Sequence, residues 1–244
     1  MPRVASLSEG ELVSSQTPRK NMSSIVPAHL GGPQKRLIAL RYWLSGKGFH
    51  LALDALHFAS LYHTGTRKDG LTPELDHQVS IALYARTLPV PDEDVEKLIV
   101  VILLHDVRED YSSPEQVPEG LPPVSEQAIA LRFGADVSRD IELLSKVTHG
   151  VKKDSAIYFA QLRETWRACL VKLLDRLHNL STMQGAFSPK KQVEYVAEAR
   201  RDILPLARHA RRAFSRYEPA FENVKLGIGL QIALLDKLNE PLAA

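Results

Sequence analysis

The chain has almost no cysteine: Cys169 is the only one among 244 residues. A single cysteine excludes an internal disulfide and any zinc site built on cysteine ligands, and it suits a reducing compartment. The chain also lacks a long apolar run, since the longest is LIVVILL at residues 98–104, far short of the ~20 apolar residues of a membrane-spanning helix. We therefore expect a soluble protein with a cytoplasmic location.

An excess of charge of one sign is also missing. The 31 Lys and Arg residues nearly balance the 29 Asp and Glu residues, so net charge indicates neither a nucleic-acid nor an acidic partner. Residues 1–33 contain no apolar segment of the kind found in signal peptides, and their Ser, Pro and Gly content predicts a flexible leader. The remaining residues, 34–244, are long enough for one domain with a full core.

Helical spacing of apolar residues dominates the rest of the chain. An alternating strand pattern and internal repeats are not found, so the sequence predicts an all-α domain. Gly134 is expected to interrupt one helical segment and Pro205 to kink another. The segments expected to be helical are 48–65, 75–88, 92–110, 124–150, 155–184, 189–219 and 220–240.

The segment 92–110 ends in the cluster HDVRED, which places five titratable groups within six residues after a buried-looking run. Charge at that density on an apolar element carries a desolvation cost, which a bound metal would offset. On a helix His105 would lie beside Glu109, and Asp106 beside Asp110. The alternative is an exposed helix C-terminus with solvated charges.

Two further residues are candidate ligands. Asp175 follows the apolar run CLVKLL as His105 follows LIVVILL, although an Asp paired with Arg176 or Lys172 explains the same pattern. His77 lies in the first turn of its predicted helix, where a single His is more often a surface or core residue than a ligand.

Four blocks of sequence resemble one family. HDVRED resembles the HDxxED motif, and KLLDRLHN the KxxDRxHN motif, of the hydrolase domain in RelA/SpoT homologues, which belong to the HD-domain superfamily. RKDG before His77 and the segment RFGADVSRDI resemble two further parts of that domain, and all four blocks stand in the family's order over about residues 50–210. The resemblance implies an HD-domain helical bundle.

The resemblance also implies a site. His77, His105, Asp106 and Asp175 would bind one divalent ion, usually Mn²⁺, and mixed imidazole and carboxylate ligands suit such an ion. Glu109 and Asp110 would orient and deprotonate the attacking water.

Arg67, Lys68 and Asn179 match family residues that hold the nucleotide. Arg67 would lie near the guanine base, Lys68 near phosphate, and Asn179 near the ribose or base, while an ordinary basic turn is the alternative for Arg67 and Lys68. The pattern departs from the family at Glu74, which replaces an aromatic residue, and at Gln78, which replaces a proline. An Asn of many relatives is absent, so we expect Tyr158 to line the pocket instead.

The reaction implied is removal of the 3′ pyrophosphate from (p)ppGpp, which gives GDP or GTP and pyrophosphate, by a stand-alone small alarmone hydrolase. Two alternatives remain open. One is an HD phosphohydrolase acting on an adenine alarmone, a nucleotide or the pyrophosphorylated end of a tRNA. The other is an antitoxin that neutralises a small alarmone synthetase by hydrolysis or direct binding.

The C-terminal arginines invite a nucleic-acid interpretation. Acidic residues are interleaved with them and no series of aromatic residues accompanies them, so a solvated helix face is favoured. They are Arg200, Arg201, Arg208, Arg211, Arg212 and Arg216.

Overall fold

The computed structural model describes residues 32–148 and 150–240. Residues 1–31 lie outside this part of the chain, so for them the flexible leader stays a prediction, whereas residues 32 and 33 belong to a helix. The first described helix begins at Gly32, and the sequence pattern had not indicated a helix there.

The described part of the chain contains twelve α-helices and one short hairpin, with 3-10 turns at Leu162–Glu164 and Ser215–Tyr217. Their bounds are α1 Gly32–Lys47, α2 His50–Tyr62, α3 Leu75–Ala85, α4 Asp92–Leu104, α5 Val107–Asp110, α6 Glu126–Phe133, α7 Ala135–Leu144, β1 Val147–Thr148, β2 Val151–Lys152, α8 Ser155–Gln161, α9 Trp166–Thr182, α10 Pro189–Glu198, α11 Leu204–Ala213 and α12 Glu218–Asn239.

Helix α4 is the centre of the bundle. Its first turn carries Asp92, Glu93 and Asp94, and acidic side chains stabilise the positive end of a helix dipole. Every residue from Leu98 to Leu104 is fully buried, because α2, α3, α7 and α9 pack around it. A helix that is apolar on all sides must be enclosed in this way.

The segment predicted as one helix over 92–110 is divided. Helix α4 ends at Leu104, His105 and Asp106 form a turn, and the one-turn helix α5 follows. The amide of Asp110 still donates to the carbonyl oxygen of Asp106 over 2.9 Å. The turn therefore lies directly after the fully buried run from Leu98 to Leu104, which places His105 at the edge of the core.

Two other interruptions have local causes. Gly134 adopts a φ of 99° between α6 and α7, a conformation that glycine reaches without steric cost, so its predicted interruption is confirmed. The predicted helix over 155–184 is also divided, because the Thr165 side chain accepts from the amide of Ala168 and begins α9 as a new helix.

The hairpin of β1 and β2 was not predicted. Val147 pairs with Lys152 and Thr148 with Val151 in antiparallel register. Strands of two residues are too short to show an alternating pattern.

The C-terminal helices close the bundle against α9. Pro205 lies in the first turn of α11, directly after a π-helical turn over Ala199–Ile203. No helix in the described ranges is long and apolar enough to cross a membrane.

Candidate active site

Three of the predicted metal ligands form one cluster at the ends of α3 and α4. His77 stands in the first turn of α3, His105 caps α4, and Asp106 follows it. One nitrogen or oxygen atom from each residue lies within 4.8 Å of the others. Both histidines are buried, which keeps their rings in fixed positions.

Asp175, the fourth predicted ligand, reaches the same place from α9. Its Oδ1 lies 3.3 Å from His77 Nε2, and its Oδ2 lies 2.9 Å from Lys172 Nζ. Burial alone would raise the pKa of Asp175, but the charges of Lys172 and His77 outweigh burial and hold that pKa well below its ordinary value. Asp175 therefore remains a carboxylate, which is the form that binds a cation.

His105 has the orientation that a metal ligand requires. Its Nδ1 donates to the carbonyl oxygen of Ile102 over 2.7 Å, which leaves the lone pair on Nε2. That buried Nε2 has no hydrogen-bond partner among the described residues, and Asp106 Oδ2 lies 2.9 Å away outside hydrogen-bond geometry. Burial lowers the pKa of His105, but Asp106 outweighs burial and raises it to about 9. The position between the two groups therefore attracts a proton or a metal cation.

His178 was missed by the sequence analysis. Its Nδ1 lies 2.9 Å from Nδ1 of His77, so one of these nitrogens carries a proton and the other accepts it. Burial, followed by the neighbouring His77, lowers the pKa of His178 to about 3, and its ring is therefore neutral. Donation from His77 Nδ1 to His178 would leave His77 Nε2 free to face the cluster. The sequence contained one signal for His178: it follows Asp175 by three residues, and residues three apart lie on the same face of a helix.

The two predicted catalytic carboxylates have different surroundings. Glu109 Oε2 accepts from the backbone amide of Lys146 over 2.6 Å, so this oxygen is held by the chain before β1. Asp110 lines the central cavity. Desolvation raises the pKa of Asp110 to about 7, with Asp106 and Glu109 adding to the rise. Asp110 is therefore the carboxylate placed to exchange a proton with a ligand in the cavity.

The cavity itself has a volume of about 610 Å³, within the range of small-molecule sites. His77, Asp106 and Asp175 lie on its wall, together with the basic residues Arg36, Arg67 and Lys68. A site with carboxylates and imidazoles beside cationic side chains suits a phosphorylated ligand and a divalent ion.

The basic turn before α3 is built by short-range hydrogen bonds. The Asp69 side chain accepts from the amides of Leu71 and Thr72, each over 2.9 Å, and the Thr72 hydroxyl is the first of the groups that lower the pKa of Asp69 to about 2. Gly70 has a φ of 69°, which a residue with a side chain rarely adopts. This turn holds Arg67 and Lys68 at the cavity.

Asn179 and the basic turn are connected. Arg67 Nη2 donates to Asn179 Oδ1 over 3.0 Å, while Lys68 Nζ lies 5.0 Å from the centre of the Phe187 ring. Arg67, Lys68 and Asn179, the residues predicted to bind the nucleotide, all line the cavity.

Tyr158 is placed differently from the sequence prediction. It is fully buried and its hydroxyl donates to the carbonyl oxygen of Leu144 over 3.0 Å. Its ring does not line the cavity, where the aromatic residues are Phe187 and Tyr195. The expected ligand contact by Tyr158 is therefore replaced by a packing role beside Lys172, whose Nζ lies 5.8 Å from the ring centre.

A family model described as an HD domain matches residues 55–209. The chain belongs to the HD domain family. The predicted all-α HD-domain bundle is thus confirmed. An HD domain implies a divalent metal, and the buried His105 Nε2 together with the ionised Asp175 fits such an ion.

Similar proteins support the resemblance to RelA/SpoT homologues. A probable guanosine-3′,5′-bis(diphosphate) 3′-pyrophosphohydrolase of Synechocystis is 30% identical over 153 residues, which are 63% of this chain and 19% of that protein. The guanosine-3′,5′-bis(diphosphate) 3′-pyrophosphohydrolase of Haemophilus influenzae is 28% identical over 154 residues, 59% of this chain and 20% of that protein. This HD domain therefore spans about a fifth of the length of these relatives.

A solved structure shares the fold. A metazoan ortholog of SpoT that hydrolyses ppGpp aligns with a TM-score of 0.53 and 19% identity, and the alignment covers 77% of this chain and 94% of that one. At this identity the likeness concerns the arrangement of helices.

Proposed function

We propose that this HD domain is a metal-dependent hydrolase that removes the 3′ pyrophosphate from (p)ppGpp. One observation carries the proposal: ligand side chains from α3, α9 and the end of α4 converge on one wall of a cavity whose neighbouring turn carries Arg67 and Lys68. The activity printed in the names of the Synechocystis and Haemophilus relatives supports the same reaction.

The proposed ion is Mn²⁺, held by His77, His105, Asp106 and Asp175. When bound it would supply positive charge to the reacting phosphate and lower the pKa of water. The protein fixes the orientation of the His105 ring, because its Nδ1 is hydrogen-bonded to the carbonyl oxygen of Ile102. Outer partners of metal ligands generally have this role.

Asp110 is the proposed general base. Its pKa of about 7 is close to the working pH, which favours proton exchange in both directions. Asp110 would accept the proton of the attacking water, whose oxygen bonds to the phosphorus attached to the 3′ oxygen. The bond from that phosphorus to the 3′ oxygen breaks, the 3′ oxygen takes a proton, and GDP or GTP leaves with pyrophosphate. Glu109, held by the Lys146 amide, would orient the attacking water.

The basic residues would hold the phosphates that do not react. Lys68 supplies a compact charge, and the planar guanidinium of Arg67 suits a base or a phosphate. Asn179 would hold Arg67 in place through the hydrogen bond already described.

A second candidate is an HD phosphohydrolase acting on an adenine alarmone, another nucleotide or a pyrophosphorylated tRNA end. Glu74 favours it, since a carboxylate lines the cavity where the family has an aromatic residue. The C-terminal arginines give no added support for a nucleic-acid ligand, because Arg200, Arg201, Arg211 and Arg216 all pair with carboxylates. The antitoxin role and the cytoplasmic location stay predictions.

The test is a substrate panel with purified protein and Mn²⁺. We expect pyrophosphate release from ppGpp and pppGpp, with GDP and GTP as the nucleotide products, and little release from the adenine analogue or a pyrophosphorylated tRNA. A preference for either of the latter would move the assignment to the second candidate. Protection of cells from a co-expressed synthetase by an Asp106→Ala variant would instead indicate an antitoxin that acts by binding.

A further inference from the structure

One wall of the cavity carries the two departures from the family pattern. Glu74 and Gln78 both line it and are joined through two buried side chains. Gln78 Nε2 lies 3.4 Å from His63 Nε2, and the Tyr111 hydroxyl lies 3.2 Å from His63 Nδ1. The same hydroxyl lies 3.1 Å from Glu74 Oε2. Four side chains thus form a continuous hydrogen-bonded series.

The number of available protons fixes the direction of each bond. Tyr111 has one hydroxyl proton, which it donates to the carboxylate of Glu74. Its oxygen must then accept from His63 Nδ1. Burial lowers the pKa of His63 to about 4, so the neutral ring carries that one N–H, and its Nε2 can only accept. Gln78 must therefore present its NH₂ group to His63.

This direction determines which atom of Gln78 remains. With the NH₂ group turned to His63, the carbonyl Oε1 is left without a hydrogen-bond partner among the described residues. Gln78 is 2% exposed, so the unpaired acceptor is buried at the cavity wall. The reversed amide would require His63 to donate from Nε2 and Tyr111 to donate to His63, which would remove the Tyr111 proton from Glu74 Oε2. The hydrogen bond from Tyr111 to Glu74 therefore selects the first arrangement.

We infer that Glu74 and Gln78 form an acceptor wall that binds a neutral hydrogen-bond donor of the substrate. An unpaired buried acceptor is costly and is satisfied by an O–H or N–H group of a ligand. A carboxylate and a carbonyl oxygen repel phosphate, so phosphates are directed to Arg67 and Lys68 instead. The wall therefore contacts the nucleoside part of the ligand and not its phosphates.

Two groups of a guanosine phosphate offer this chemistry. The ribose 2′-hydroxyl is a donor next to the reacting 3′ position, and the guanine edge carries the N2 amine. Adenine has no amine at that position. The inference rests on the proposed function, because it takes a guanosine phosphate as the ligand. The two donors can be distinguished with nucleotides that each lack one of them.

The test is calorimetric binding of GDP, 2′-deoxy-GDP and inosine diphosphate to the Mn²⁺-loaded protein, with each nucleotide raised to millimolar concentration. One analogue should bind the wild type roughly ten- to a hundredfold more weakly than GDP, because it leaves a buried acceptor unpaired. Weaker binding of 2′-deoxy-GDP assigns the ribose hydroxyl, and weaker binding of inosine diphosphate assigns the guanine amine.

A variant of Gln78 connects the preference to the wall. Gln78→Met keeps the length of the side chain without the acceptor, and it should bind GDP and the discriminated analogue equally. Thr182→Ala also alters the cavity lining but leaves the four-residue series intact, and it should keep the preference.

Equal binding of the three nucleotides by the wild type, binding of none of them, or an equal loss for all three in Gln78→Met overturns the inference. These results are distinct from failure of the proposed function, since binding is measured without turnover. If the protein discriminates among the nucleotides but releases no pyrophosphate from ppGpp, the acceptor wall is supported and the proposed reaction is wrong. If it releases pyrophosphate but binds the three nucleotides equally, the proposed reaction is supported and the acceptor wall is wrong.

Discussion

Asn179 joins Asp175, a proposed metal ligand, to the basic turn. Its Nδ2 donates to Asp175 Oδ1 over 2.5 Å, and its Oδ1 accepts from Arg67 Nη2 over 3.0 Å. Both ends of the amide are therefore engaged within the protein. Asn179, which the sequence predicted to touch the ribose or base, instead holds the carboxylate of Asp175 and the guanidinium of Arg67 next to each other.

Asn179→Ala should weaken both functions of the site together. Loss of an outer partner of a metal ligand typically lowers metal affinity ~10- to 100-fold, and the freed Arg67 should lower nucleotide affinity as well. Titration of Mn²⁺ and then of GDP by calorimetry measures both. Thr182→Ala is the control. Unchanged Mn²⁺ affinity in Asn179→Ala would contradict the connection.

His178 should control the orientation of His77. In His178→Leu the acceptor for His77 Nδ1 is lost, and we expect Mn²⁺ affinity to fall ~10- to 100-fold. His178→Gln offers an amide oxygen in its place and should recover part of the affinity. Equal Mn²⁺ binding by His178→Leu and the wild type would show that His77 does not depend on this contact.

A buried ion pair away from the site should dominate the stability of the α7–α9 contact. Asp140 is fully buried and pairs with Arg167, while Thr165 donates to its other oxygen over 2.5 Å. Arg167→Ala leaves an uncompensated buried carboxylate and should cost roughly 3–5 kcal/mol of unfolding free energy.

The control for Arg167→Ala is Arg139→Ala, which breaks the exposed pair with Glu164 and should cost about 0–1 kcal/mol. Equal losses in the two variants by urea denaturation would contradict the account. Burial raises the folded-state pKa of Asp140, and loss of Arg167 raises it further. The folded state then binds more protons than the unfolded state, so the cost of Arg167→Ala should grow as pH rises through that pKa.

Cys169 should be chemically inert in the folded protein. Its side chain is fully buried and its thiol donates to the carbonyl oxygen of Leu162 over 3.1 Å. Burial raises the pKa of the thiol to about 12, which leaves almost no thiolate at neutral pH. A disulfide reagent at pH 8 should label the unfolded chain quickly and the native chain very slowly. Rapid labelling of native protein would place the thiol at the surface.

The clustering of the proposed ligands could be predicted because these residues stand in ordered motifs. His77, His105, Asp106 and Asp175 come from separate segments, and the family resemblance was the information that brought them together. Helical periodicity correctly indicated most of the bundle, since its helices bury regular apolar faces. The break after Leu104 could not be read from periodicity, because His105 and Asp106 continue the polarity expected of a helix end.

Other features depend on contacts between distant residues. The contact of Asn179 with Arg67 joins residues 112 positions apart, and no local pattern reveals such a contact. Tyr158 was expected at the cavity because its segment lacks the Asn of many relatives, yet its hydroxyl donates to the carbonyl oxygen of Leu144 within the core. Tyr195 lines the cavity in place of Tyr158 because α10 packs against α9.

The most direct test of the central claim is pyrophosphate release from ppGpp with Mn²⁺, measured for the wild type and for Asp106→Ala, with bound Mn²⁺ quantified in each protein. The account predicts release of pyrophosphate and GDP by the wild type, with loss of both bound Mn²⁺ and release in Asp106→Ala. Release that persists in Asp106→Ala, or no release by a wild-type protein that holds its Mn²⁺, would contradict it.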